Sequence, residues 1–105
     1  MEVQYDNNKR KNGDVLTVAI DGELTLKTAP ELAEELSDEL DSIKELIIDL
    51  KDCGYTSSAG LRVLLNSYQV LDDNGGKMVL KNVNKVFMDI LESTGFLDFL
   101  EVEGA

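Results

Sequence analysis

The chain has 105 residues, 43% of them hydrophobic, with one cysteine, no histidine and a net charge of −11 from 21 acidic and 10 basic side chains. That length fits a single domain (residues 1–105) burying about two-thirds of its unfolded surface, enough for a core without metal or disulfide support. The charge opposes a phosphate backbone, and the missing histidine removes Ser-His-Asp catalysis, Cys-His catalysis and every His-containing zinc site.

Other features agree with a cytoplasmic protein that has neither nucleic acid nor a membrane as partner. Cys53 has no intrachain partner, which suits a reducing compartment. The start, Met1-Glu2-Val3-Gln4-Tyr5-Asp6, lacks a signal-peptide pattern. No apolar run approaches the ~20 residues of a membrane helix. The chain opens on Met1 and closes just past its last apolar residues, so it is expected to stand alone and not as a transporter tail.

In chain order, Val3-Gln4-Tyr5 reads as a short first strand, followed by a polar turn over residues 6–14. Val15-Leu16-Thr17-Val18-Ala19-Ile20 is rich in β-branched residues and predicts a strand pairing with the first as an antiparallel hairpin. Thr28-Ala29-Pro30-Glu31 opens a helix, with Thr28 as cap, Glu31 completing a capping box and Pro30 in the first turn. Ala29, Leu32, Ala33, Leu36 and Leu40 form its inner stripe; Glu31, Glu34, Glu35, Asp38, Glu39 and Asp41 form its wet face.

Leu46-Ile47-Ile48-Asp49-Leu50 is nearly continuous in apolar character, the look of a central strand covered on both faces. A second helix follows, with Leu61, Leu64, Leu65, Tyr68 and Leu71 inward and Arg62, Asn66, Gln69 and Asp73 outward, ended by Gly75-Gly76. Met78-Val79-Leu80 predicts another strand. Residues 84–94 predict a third helix burying Val86, Phe87, Ile90 and Leu91, stopped by Gly95. Phe96, Leu97, Phe99 and Leu100 fold back as a clamp. The expected fold is α/β: a small mixed sheet with an antiparallel first hairpin, then parallel βαβαβα, packed with helices.

In such sheets binding sites gather where strand C-termini hand over to helix N-termini. Tyr55-Thr56-Ser57-Ser58-Ala59-Gly60-Leu61-Arg62 occupies such a place. A hydroxyl there can cap the helix, and a phosphate placed on it would face unpaired N–H groups and the positive end of the helix dipole. It would add about −1.5 to −2 charges to the surface. The residues alone leave both roles open for Ser57 and Ser58, and favour the plain cap, a common start signal. Gly60 lets a partner's backbone approach closely. Arg62, one turn in, is either solvated or a partner contact. Cys53 reads as a small buried residue, with nothing in sequence to activate its thiol. Gly76-Lys77 is not a phosphate loop, because Leu71 and Met78 replace the glycine and hydroxyl residue such a loop needs.

The run Asp49-Leu50-Lys51-Asp52-Cys53-Gly54-Tyr55-Thr56-Ser57-Ser58-Ala59-Gly60-Leu61-Arg62-Val63-Leu64-Leu65 resembles the signature of STAS domains of the anti-sigma-factor antagonist family. Gly22-Glu23-Leu24-Thr25 with Thr28-Ala29-Pro30-Glu31-Leu32, Gly75-Gly76-Lys77-Met78-Val79-Leu80, and Val86-Phe87 through Thr94-Gly95-Phe96 extend the likeness over nearly the whole chain. The resemblance implies a bacterial signalling module that is not an enzyme. Unphosphorylated, it binds an anti-sigma factor that is also a serine kinase and so frees the sigma factor. The kinase then phosphorylates one serine, and a PP2C-type phosphatase resets it.

The family's target serine lies two positions before the Gly-Leu pair, which falls on Ser58. Ser57 stands where well-known members carry Asp and others Ser, which leaves it as a secondary acceptor. Thr25 stands where Gly-Glu-Leu is often followed by Asp. Asp49 and Asp52 remain as nearby acids. The partner surface implied is Tyr55, Thr56, Ser57, Ser58, Gly60, Arg62 and Thr25. No cofactor is expected on this chain; ATP and magnesium belong to the partner kinase. The alternative is a sensor of nucleotides or other small anions using the same helix start; an enzyme is the weakest reading, for want of a second catalytic group beside the serines.

Overall fold

In the computed structural model, which describes residues 9–104 and side chains from residue 13 onward, the alternation of apolar runs and helical stripes becomes one five-stranded sheet with three helices. The elements are β1 (Lys9–Asn12), β2 (Val15–Asp21), α1 (Ala29–Ser37), β3 (Glu45–Asp52), α2 (Ser58–Asp73), β4 (Lys77–Val83), α3 (Lys85–Ser93) and β5 (Glu101–Gly104). Strand order is β1-β2-β3-β4-β5, and every pairing from β2 to β5 is parallel.

The first strand anticipated at Val3-Gln4-Tyr5 lies outside the described residues. The strand that runs antiparallel to β2 is β1, inside the stretch expected to be a polar turn. The turn itself shrinks to Gly13-Asp14, with Gly13 at φ +64°, where a two-residue hairpin loop puts glycine at its first central position. The C-terminus also departs from expectation. Phe96–Asp98 forms a 3-10 turn and Leu100 is buried as anticipated, but Glu101–Gly104 then adds β5 beside β4.

The helical layer covers one face of the sheet. Leu16, Val18 and Ile20 of β2 and Leu46, Ile48 and Leu50 of β3 join Leu32, Leu36, Leu64, Leu71, Phe87 and Leu91 in one core cluster. Their strand neighbours are half-exposed, so β3 alternates instead of being covered on both faces, and Ile47 and Asp49 look away from the helices. Val86 is likewise 56% exposed, not buried, because the α3 stripe turns Phe87 and Leu91 inward.

The start of α1 is built differently from the anticipated Thr28–Glu31 box. Thr28 makes no side-chain cap to α1. It is 1% exposed, donates its hydroxyl to the Glu23 carbonyl (2.8 Å) and accepts the Thr25 N–H (2.8 Å). Thr25 Oγ1 in turn accepts the N–H groups of Thr28 (3.1 Å) and Lys27 (3.2 Å), and the Ala29 N–H reaches the Thr25 carbonyl at 2.9 Å. The reciprocal box therefore exists one turn earlier, between Thr25 and Thr28, with a threonine in the place usually held by Glu or Gln.

Candidate functional site

At the C-terminal end of the sheet, the chain leaving β2 is stitched to the chain leaving β3. Gly22 N–H donates to the Asp52 carbonyl (3.0 Å), Leu24 N–H to the Tyr55 carbonyl (3.1 Å) and Ser57 N–H to the Leu24 carbonyl (2.8 Å). Leu24 and Thr56 form an isolated parallel bridge. Thr25, which the family resemblance implies is part of the site, thus follows directly on the residue that accepts the Ser57 N–H. Leu24 and Leu26 were not anticipated there; Leu24 is fully buried and Leu26 is 81% exposed.

The two serines divide the roles that the sequence left open. Ser57 is the N-cap of α2, with extended backbone, and its hydroxyl accepts the Gly60 N–H at 3.4 Å, a long bond. Ser58 is the first helical residue and is exposed, and its hydroxyl has no hydrogen bond among the described residues. The first turn of α2 carries no acidic residue, so the positive end of its dipole is not already neutralised within the helix. A phosphate on Ser58 would displace no existing contact of that side chain.

Gly60 has a different use from the one anticipated. A Cβ there would sit 2.1 Å from Thr56 Oγ1 and 2.8 Å from Leu24 Cβ. Its bare backbone lets α2 press onto the β2–β3 stitch, and it is buried instead of offered to a partner. Thr56 is buried too (2% exposed) and donates its hydroxyl to the Ser57 carbonyl. The outward set is therefore Ser58, Arg62 and Tyr55, the last 44% exposed. Asn84, the N-cap of α3, lies close by: a Cβ on Gly54 would come within 3.0 Å of its Nδ2.

The acids are less available than their proximity in sequence suggests. Asp49 Oδ1 accepts from Asn82 Nδ2 (2.9 Å) and from the Lys51 N–H (3.0 Å), locking it to a β4 residue held at φ +58°. Asp52 is exposed. Cys53 is fully buried, its thiol donating to the Tyr55 carbonyl at 3.6 Å, and burial pushes that thiol's pKa above its ordinary value. No helix among the described residues is long and apolar enough to cross a membrane.

Comparisons with known proteins extend the picture from site to family. A family model described as the STAS domain matches residues 7–104. The anti-sigma-B factor antagonist of Bacillus subtilis is 29% identical over 102 residues, covering 97% of this chain and 92% of that protein. The anti-sigma-B factor antagonist of Listeria monocytogenes is 30% identical over 98 residues, covering 90% and 84%. Among solved structures, the Thermotoga maritima protein TM1081 shares the fold at a TM-score of 0.86 and 20% identity, covering 92% of this chain and 85% of that one. Unphosphorylated SpoIIAA shares it at 0.77 and 14% identity, covering 98% and 88%.

Proposed function

This chain belongs to the STAS domain family, and from that premise we propose that it is an anti-sigma-factor antagonist switched by phosphorylation of Ser58. In its unmodified form it binds an anti-sigma factor that is also a serine kinase, so that the sigma factor is released. The kinase, supplying ATP and magnesium, phosphorylates Ser58, and a PP2C-type phosphatase restores the hydroxyl. The observation that carries the reading is the division of labour at the α2 start: Ser57 is engaged as the cap, while Ser58 is exposed and uncommitted. The names of the relatives support the partner class.

The contact surface proposed runs from Tyr55 over Ser57 and Ser58 to Arg62, with Thr25 at its edge and Thr56 and Gly60 holding it from beneath. Two new negative charges at its centre alter the electrostatic match with the partner without requiring a change of fold. The test is to incubate the chain with its anti-sigma factor and Mg-ATP and map the product by mass spectrometry. Phosphate on Ser58, and none on a Ser58→Ala variant that still binds, is the expected result. Phosphate settling outside Ser57 and Ser58 overturns the assignment.

A further inference from the structure

Away from the serines, α1 with the 3-10 turn after it (Leu40–Ser42) and α2 leave a cleft of about 180 Å³, lined by Ala33 and Leu40 from the first and Val63 and Val70 from the second. Ser37 and Asn66 also line it, and the Ser37 hydroxyl is committed to the Glu34 carbonyl at 2.8 Å. Ser67 is the exception. It is 3% exposed and lines the cleft from mid-helix, yet its hydroxyl has no hydrogen-bond partner among the described residues. Ser37 and Ser93 send their hydroxyls back to carbonyls one turn earlier, as helical serines do when nothing else is on offer. No fully enclosed polar side-chain atom among the described residues lacks a partner, so the Ser67 oxygen opens on the cleft and is not sealed beneath it.

An apolar recess with one convergent, unsatisfied hydroxyl is the composition of a small-molecule site. We propose that this cleft binds a small neutral molecule of the phenol class, an apolar ring carrying one hydroxyl that pairs with Ser67. The size fits, since an apolar cavity of ~150 Å³ accommodates benzene, leaving room here for a hydroxyl and a methyl group. The charge also selects. Exposed Glu34, Asp38 and Asp41 each directly follow a lining residue, Ala33, Ser37 or Leu40, in the chain, and the one cation of α2 is Arg62, so the surrounding charge disfavours a carboxylate or phosphate but not a neutral ring. The site stands whether or not Ser58 is the phosphorylated residue.

The test is an amide chemical-shift titration of the full chain with p-cresol, alongside toluene and 4-methylbenzoate. Saturable shifts clustered at Ala33, Ser37, Val63, Ser67 and Val70 are expected for p-cresol, with a Kd of about 1 mM or tighter for a ligand this small. Ser67→Ala should weaken p-cresol at least ~5-fold and leave toluene unchanged, the signature of a single lost hydrogen bond to the hydroxyl. Val70→Phe should abolish binding of both by filling the cleft; if that variant melts early, Ala33→Leu serves the same purpose. Shifts that fail to saturate, that map elsewhere, or that ignore Ser67→Ala overturn the proposal, as does 4-methylbenzoate binding as tightly as p-cresol.

Discussion

The starts of α1 and α2 lie side by side, joined through Leu24, and are finished in opposite ways. At α1 the Thr25 and Thr28 hydroxyls satisfy each other's backbone, and Thr28 is buried with a third partner at Glu23. At α2 the Ser57 cap is long, and the next hydroxyl, on Ser58, is exposed and unused. A helix start with every donor and acceptor engaged is a structural joint; one left partly open can accept a new group without first breaking anything. The same residue chemistry thus yields a fixed point and a modifiable point a few residues apart in space.

The same carboxylate placed at both starts should separate them most strongly. Thr28→Asp buries a charge and replaces the hydroxyl donor to the Glu23 carbonyl with an acceptor, and should cost ~3 kcal/mol or more. Ser58→Asp should leave stability unchanged or raise it by ~0.3–1 kcal/mol through the helix dipole. Thermal denaturation of the two variants decides it, and equal losses would mean that the α2 start is not open.

Gly60→Ala probes the packing beneath the open start. Its Cβ must displace Thr56 and Leu24, with an expected cost of ~1–3 kcal/mol, read as a Tm lowered by ~4–8 °C per kcal/mol. If instead the variant melts normally, the vacancy at Gly60 is not used internally. A smaller contrast is expected between the caps themselves. Thr28→Val should cost ~1–2 kcal/mol through the lost hydrogen bonds, whereas Ser57→Ala should stay near the ~0.5 kcal/mol low end for a cap, because its bond is already long. Urea denaturation resolves both.

The smallest effect concerns Cys53, beneath the stitch. Its folded pKa is raised by burial, so its contribution is fully present below the unfolded pKa of ~8.5 and is lost as pH rises above it. Cys53→Ala should therefore show a flatter fall of Tm between pH 8 and pH 10 than the parent chain. Parallel curves would place the thiol in contact with solvent.

What could be read in the sequence follows from what is local. The β-branched run of β2 and the leucine stripe of α2 announce themselves, because their periodicity is the packing. β5 does not: Glu101-Val102-Glu103-Gly104 offers one apolar side chain, and it becomes a strand only because β4 has an edge to pair with. The run Leu46-Ile47-Ile48 conceals a one-sided strand, since apolar content does not say on which face helices will lie. At the site, the segment is legible from the residues, but the roles within it come only from the family resemblance. From residue chemistry alone either serine reads as a cap; the family resemblance points to Ser58 as the target, and the extended backbone of Ser57 makes that residue the cap. Gly60 suggested an opening to a partner, whereas Leu24 and Thr56, far off in sequence or hidden by a polar name, fill the space.

On the proposed function, charge at the open start controls association while the fold stays as it is. The most direct measurement is calorimetric titration of the anti-sigma factor into the chain before and after phosphoserine is installed at position 58, with Tm recorded for both forms. Binding at least ~100-fold weaker, about 2.7 kcal/mol, with a Tm that does not fall, is expected. Equal affinities, or a loss of binding that accompanies unfolding, would contradict that function.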